Sequence, residues 1–234
     1  MSDMARGLED LHIHSNYSAD GDSSIDEIVQ RAASLKLKTI AITDHFWPSV
    51  GSRKGGRNII EQRRHEIETN RIDYPKLTIF DGAEVDIQSN GELAPVAGGL
   101  EQFDLVIGSF HWFTDSTRWA SALVKALRKN EFQILGHWDG YLSSYREEDG
   151  RIAAEALADA GVAIDLNGRY RSEDIRFFEM AKSVGCVFSL GSDSHHVSTV
   201  GKLDFQTKLA SSMELQIIQT EKTFKQVPTK MPSD

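Results

Sequence analysis

The chain has 234 residues, with 26 Lys+Arg against 35 Asp+Glu and a formal charge of −9, and its 40% hydrophobic and 26% charged content places it among ordinary globular sequences, not disordered or fibrous ones. The acidic balance disfavours a protein that coats long nucleic acid or anionic membrane, because such binding needs clustered Lys and Arg. Cys186 is the only cysteine, which excludes an internal disulfide and a thiolate zinc cluster, so the eight His are the softest ligands available and a reducing cytoplasm is the expected compartment.

Residues 1–7 are polar and mixed in charge, unlike the apolar core of a signal peptide, and no apolar run approaches transmembrane length. A soluble protein with no membrane partner is expected. Leu11–Ile13 reads as a strand, after which Ser24 and Glu27 form a capping box and Ile25, Ile28, Val29, Ala32 and Leu35 share one helical face. The β-branched run Thr39–Thr43 follows and ends at Asp44-His45. Gly51–Asn58 reads as a surface loop carrying the basic residues Arg53, Lys54 and Arg57, and Ile59–Ile72 as an exposed, charge-rich helix. Strand signals recur at Leu77–Ile87, Asp104–Ser109, Phe132–Leu135, Val162–Leu166 and Cys186–Leu190. Between the last of these, Ile152–Ala160 stops at Gly161, and Ser172 caps a segment that begins with Glu173 and Asp174 and stops at Gly185. Strands alternating with helices give the rhythm of a parallel sheet. Residues 1–220 are expected to form one domain, with 221–234 as a loose tail.

The residues at the carboxyl ends of the strands are the informative ones: His14, His45, Glu84, His111, His137, Asn167 and Asp193. Their spacing is close to the ~30 residues of one βα unit. In parallel α/β barrels that rim carries the active site, so seven polar or ligating side chains in register point to one shared site on a closed or nearly closed barrel of seven βα units.

His12 and His14 are two apart on a strand, so both face the same way and can reach one metal ion. Asp193 and His195 repeat that spacing at the last strand. With Asp20, His45, Glu84, His111 and His137 they make nine nitrogen and oxygen ligands without sulfur, a set suited to zinc, manganese or iron, with magnesium a lesser fit. Nine exceed the needs of one ion, and two or three divalent ions sharing the Glu84 carboxylate use them all. Such sites hydrolyse phosphoesters by activating water and clamping phosphate oxygens. A lone His at a strand end is more often a hydrogen-bonded rim residue, and a lone Asp more often a loop cap. Six of eight His in register are not explained that way. His65 reads as a residue of a solvated helix face, and His196 is ambiguous beside His195.

The series His12-Ile13-His14, Ser18-Ala19-Asp20-Gly21, Thr43-Asp44-His45, Gly82-Ala83-Glu84, Gly108-Ser109-Phe110-His111, Gly136-His137 and Gly191-Ser192-Asp193-Ser194-His195 resembles the PHP family, the polymerase and histidinol phosphatase metal-dependent phosphoesterases, from about Asp10 to His195. The resemblance implies a distorted (β/α)7 TIM-like barrel, in agreement with the strand count. It implies a first ion on His12, His14, Glu84 and Asp193, a second on Glu84, His111 and His137, and a third on Asp20, His45 and His195. Asp20 stands where the trinuclear phosphatases carry His, and Asp there is typical of the polymerase-linked and nucleotide-phosphatase branches. Trp138-Asp139 follows His137 where the family usually has Pro.

The expected reaction is attack on phosphorus by a hydroxide between the first two ions, with Asp193 orienting that water and with Asp193, His195 and Glu84 as the catalytic residues. Arg169 and Arg171, after the Asn167 strand end, are the candidate phosphate contacts, since guanidinium forks match phosphate oxygens; a solvent-facing loop pair is the equal alternative. A small phosphorylated substrate of histidinol-phosphatase type is expected, with no obligate protein partner evident. Three rivals stand beside this: the amidohydrolase barrels, against which Thr43-Asp44-His45 and the terminal Asp-x-His count; 3′–5′ exonuclease or oligonucleotide phosphodiesterase activity, which the missing basic groove disfavours for long strands; and a non-catalytic, metal-stabilised module.

Overall fold

A computed structural model of the chain describes residues 9–46, 56–129, 131–172 and 174–220. Its elements in order are β1 (Glu9–Ile13), α1 (Ile25–Ser34), β2 (Thr39–Asp44), α2 (Arg57–Asp73), β3 (Thr78–Asp86), β4 (Leu105–Ser109), α3 (Ser116–Leu127), β5 (Ile134–Leu135), α4 (Glu147–Ala160), β6 (Ala163–Asn167), α5 (Arg176–Ser183), β7 (Phe188–Gly191) and α6 (Asp204–Met213). The seven strands pair in parallel in the order of the sequence, from β1 to β7. At the seam Ile13 bridges Ser194, and the His14 N–H donates to the Ser194 carbonyl at 2.8 Å, so the sheet nearly closes into a distorted (β/α)7 barrel. The Arg53 and Lys54 patch and the tail at 221–234 lie outside the described residues.

Local sequence explains most of these elements. Every residue of β2, β4, β6 and β7 is buried, as parallel strands covered by helices on one side and a filled barrel on the other require. In α1 the Ser24–Glu27 capping box forms in both directions and is worth about 1 kcal/mol, while Ile25, Ile28, Val29 and Ala32 pack against β1, β2 and β3 through Ile13, Ile40, Ile42 and Ile79. Gly161 ends α4 in the left-handed conformation at φ 67°, which a residue without Cβ adopts freely. Trp119 of α3, Trp138 after β5 and Phe177 of α5 meet in one large apolar cluster that also takes in Ala153, Ala154 and Leu157 of α4. Phe80 and Ala163 share the strand faces of Glu84 and Asp165 and meet Leu105, Ile107 and Ile134 in a separate cluster.

Two elements differ from the sequence expectation. The α2 helix leaves His65 exposed but completely buries Arg63, so it is not a solvated helix throughout. The α5 helix begins at Arg176, after the expected Ser172 cap; Ser172 Oγ instead donates to the Asp174 carbonyl, and the Asp174 carboxylate accepts from the Arg176 N–H. Among the described residues, no helix is long and apolar enough to cross a membrane.

Candidate metal centre

The strand ends bring the nine ligand candidates to one rim. His12 and His14 leave β1 on the same side, and their Nε2 atoms are 3.1 Å apart. Glu84, inside β3, places Oε2 3.2 Å from each of them, and Oε1 2.9 Å from His137 Nε2 and 3.5 Å from His111 Nε2. His45, one residue past β2, reaches Glu84 Oε2 at 3.5 Å. Beyond β7, Asp193 sets Oδ1 3.5 Å from His14 Nε2, 3.8 Å from His12 Nε2 and 3.4 Å from His195 Nδ1. Asp193 does so at φ 52°, the left-handed region in which Asp is one of the tolerated residues. Asp20 lies at the outer edge, its Oδ2 2.9 Å from His195 Nε2. The groups His12, His14 and Glu84; His45, Glu84 and His111; and His14, His45 and His195 each present one ligand atom apiece within 4.8 Å of one another.

Behind the ligands stands a ring of acceptors to which the sequence reading gave no role. Asp165 Oδ2 is 2.9 Å from His12 Nδ1, Asp86 Oδ1 is 2.5 Å from His111 Nδ1, and Ser18 Oγ is 3.2 Å from His14 Nδ1. A carboxylate only accepts, so His12 and His111 donate through Nδ1 and turn Nε2 inward, leaving Nε2 as the nitrogen that a metal would take on displacing its proton. The signal was available: Asp86 follows Glu84, and Asp165 precedes Asn167, by the two-residue step that keeps a strand residue on the same face. Asn167 is not a ligand but a tie, donating from Nδ2 to Asp165 at 2.8 Å and to Asp193 at 3.1 Å.

Neighbouring charges and burial together set the protonation of this rim. Burial opposes a protonated His12, yet Glu84 and Asp193 beside it raise its pKa well above the ordinary imidazole value; His14 is raised to about 9, burial again being outweighed, by its bonds to Asp193 and Glu84. Burial and the neighbouring His14 push His45 down to about 3. Burial alone would raise Glu84, but His12, His111 and His45 hold it well below the carboxylate range. Inward imidazole Nε2 atoms and carboxylate oxygens 3.1–3.5 Å apart suit ligands that sit about 2.0–2.2 Å from a shared zinc-like cation, so this donor set fits divalent metal.

Close approach at the rim requires glycine. A Cβ at Gly136 would stand 2.2 Å from Ser109 Oγ and 3.3 Å from Glu84 Oε1, and one at Gly191 would stand 2.5 Å from Asp165 Oδ1 and 2.6 Å from His12 Cβ. Of the two candidate phosphate contacts, Arg169 reaches the site, its Nη1 lying 2.6 Å from His195 Nε2 and 3.6 Å from Asp20 Oδ2. Arg171 turns away: it donates to the Gly168 carbonyl and its guanidinium sits 5.3 Å from the centre of the Phe205 ring. Tyr141 and Tyr170, joined through hydroxyls 3.2 Å apart, wall the His111 and His137 end, Tyr141 against His111 at 5.6 Å and Tyr170 against His137 at 4.8 Å between ring centres.

Residues 10–168 match the model of the PHP domain. The chain belongs to the PHP domain family. Relatives within it include a probable phosphatase of Caldicellulosiruptor bescii, 27% identical over 222 residues that cover 88% of this chain and 87% of that one. The DNA polymerase/3′–5′ exonuclease PolX of Bacillus subtilis is 27% identical over 195 residues, 80% of this chain; this PHP chain spans only 34% of that polymerase's length. The PHP barrel also superposes on the crystal structure of histidinol phosphate phosphatase from Lactococcus lactis, complexed with zinc, L-histidinol and phosphate, with a TM-score of 0.67, 18% identity and 90% and 95% of the two chains covered.

Proposed function

We propose that this PHP chain is a metal-dependent phosphatase of a small phosphomonoester, of histidinol-phosphatase type. The convergence of His12 and His14 Nε2 and Glu84 Oε2 at 3.1–3.2 Å, with the outward imidazole nitrogens of His12 and His14 each held from behind, carries this reading. His12, His14, Glu84 and Asp193 would hold one divalent ion, Glu84, His111 and His137 a second, and Asp20, His45 and His195 a third. Bound ions of this kind acidify water and neutralise phosphate oxygens.

The chain's own residues supply the rest. Asp193, fixed through Oδ2 by Asn167, presents Oδ1 to the cluster of His12, His14 and His195, where it would also accept a hydrogen bond from the attacking water and hold it in line with phosphorus. Glu84 keeps its negative charge among imidazoles and fixes the spacing of the ligands. His195 and the Arg169 fork face the phosphate oxygens from the Asp20 side. Next to Arg169, whose guanidinium is 5.7 Å from the centre of the Tyr170 ring, Tyr170 and Tyr141, with Phe113 5.7 Å from Tyr141 and 81% exposed, offer apolar faces to a planar ring on the leaving alcohol, such as the imidazole of histidinol phosphate. The similarity to the polymerase-linked exonuclease supports phosphodiester cleavage as the second reading.

Release of inorganic phosphate from histidinol phosphate, AMP and ribose 5-phosphate by protein loaded with Mn²⁺ or Zn²⁺, beside cleavage of bis-p-nitrophenyl phosphate and a short oligonucleotide, tests it. Phosphate release from the monoesters is expected. Cleavage of the diesters alone replaces this reading with the second, and hydrolysis of neither class by protein with bound metal leaves a non-catalytic module.

A further inference from the structure

Arg63, on α2 outside the barrel, is a fully buried cation whose fork spans two strands. Its Nε donates to Asp44 Oδ2 at 2.6 Å, Nη1 to Asp81, and Nη2 to the carbonyls of Ile42 and, at 2.9 Å, Gly82. Asp44 ends β2, Ile42 belongs to the same strand, and Gly82 lies two residues before Glu84 in β3. One guanidinium therefore ties together the two strands that present His45 and Glu84. Lys cannot reproduce this, because a single ammonium has no planar fork.

The contacts continue inward from Asp44. Its Oδ1 accepts the Ser15 N–H at 2.7 Å and the Ser18 hydroxyl at 2.7 Å, and its Oδ2 accepts the Ser15 hydroxyl at 2.8 Å. With its proton committed to Asp44, Ser18 Oγ can only accept from its other neighbours. Those are the His45 N–H at 3.1 Å and His14 Nδ1 at 3.2 Å. His14 thus carries its proton on Nδ1 and directs Nε2 toward Glu84. All four side chains, from Arg63 to His14, are buried, so water offers none of them a substitute partner.

We propose that Arg63 is a positioning residue for the metal centre, acting through Asp44 and Ser18 to fix the tautomer and place of His14. His12 and His111 have a carboxylate directly behind them, whereas His14 reaches the Asp44 carboxylate through Ser18, with the Arg63 cation one step beyond. The inference concerns how the site is held and does not depend on which ester is cleaved.

A double-mutant cycle on zinc affinity, read by competition with a chromogenic chelator, tests it. Ser18→Ala is expected to weaken zinc binding about 10- to 100-fold, the range for losing an outer partner of a ligating imidazole. In zinc-loaded, ¹⁵N-labelled protein the same change should expose the His14 Nδ1–H to rapid solvent exchange. Arg63→Lys is expected to weaken binding about tenfold, and the double variant to bind no more weakly than Ser18→Ala alone, because both act on one path. Losses that multiply, or a folded Ser18→Ala protein with wild-type affinity and a protected His14 Nδ1–H, overturn the proposal. Should Arg63→Lys not fold, Asp44→Asn takes its place in the cycle with the same expected outcomes.

Discussion

Asp165 Oδ2 and His12 Nδ1 lie 2.9 Å apart in the buried rim although 153 positions separate them in sequence. The same oxygen accepts from Asn167, so this carboxylate orients a ligand and, through Asn167, Asp193 as well. Asp165→Ala removes the acceptor for both donors. Metal affinity is expected to fall about 10- to 100-fold and stability by about 1–3 kcal/mol, measured by chelator competition and urea unfolding.

Glu84 stands within 3.5 Å of five imidazoles, those of His12, His14, His45, His111 and His137. Glu84→Gln keeps the shape and removes the charge that the ligands share. Turnover is expected to fall by a factor on the order of 100–1,000, and the metal content measured by elemental analysis should fall with it. Full metal content with full activity would remove Glu84 from the centre.

Chelation should lower the melting temperature. Ions that bind the folded rim and not the open chain stabilise by about 2.7 kcal/mol at 100 times their dissociation constant. For a chain of this size that corresponds to roughly 5–10 °C, recovered when Zn²⁺ or Mn²⁺ is returned in calorimetry.

Phe113 offers a test of the aromatic wall. AMP and ribose 5-phosphate share the same phosphorylated hydroxyl and differ in the base, so their ratio of kcat/KM isolates ring recognition. Phe113→Ala is expected to lower that ratio about five- to tenfold, consistent with stacking energies of about 1–3 kcal/mol per base.

Burial raises the Cys186 thiol from 9.0 to about 11, and its sulfur donates to the Ala154 carbonyl. Between those values the unfolded chain binds fewer protons than the folded one, so this residue's contribution to stability is intact below pH 9 and declines as the pH rises toward 11. The urea midpoint should therefore drop more steeply between pH 8 and pH 10.5 in the wild type than in Cys186→Ala. Alkylating reagents at pH 8 should modify Cys186 only after unfolding.

The rim was legible in the sequence because ligating side chains recur at strand ends with the length of one βα unit, and His12, His14, His45, Glu84, His111, His137 and Asp193 all meet there. Arg63 was hidden by its setting: a charged residue on a charge-rich helix reads as solvated, and only the packed barrel shows that α2 turns it inward against Asp81 and Asp44. Arg171 was indistinguishable from Arg169 in sequence, and the bend after Asn167 sends the two in different directions. The Ser172 cap failed because Asp174, two residues on, competes for the same helix start and makes the bond to the Arg176 amide.

The seam between Ile13 and Ser194 has a consequence for assembly. Every proposed ion draws ligands from distant parts of the chain, and the first needs both β1 and the segment after β7. A nascent chain can therefore gather the second set, Glu84, His111 and His137, once β5 is in place, but completes the first and third only when the segment after β7 has emerged and closed the barrel. Pairings of such long sequence separation form late and slowly. Metal on the first set can then lock only a finished barrel, and filling of that set during refolding would report the closing of the seam itself.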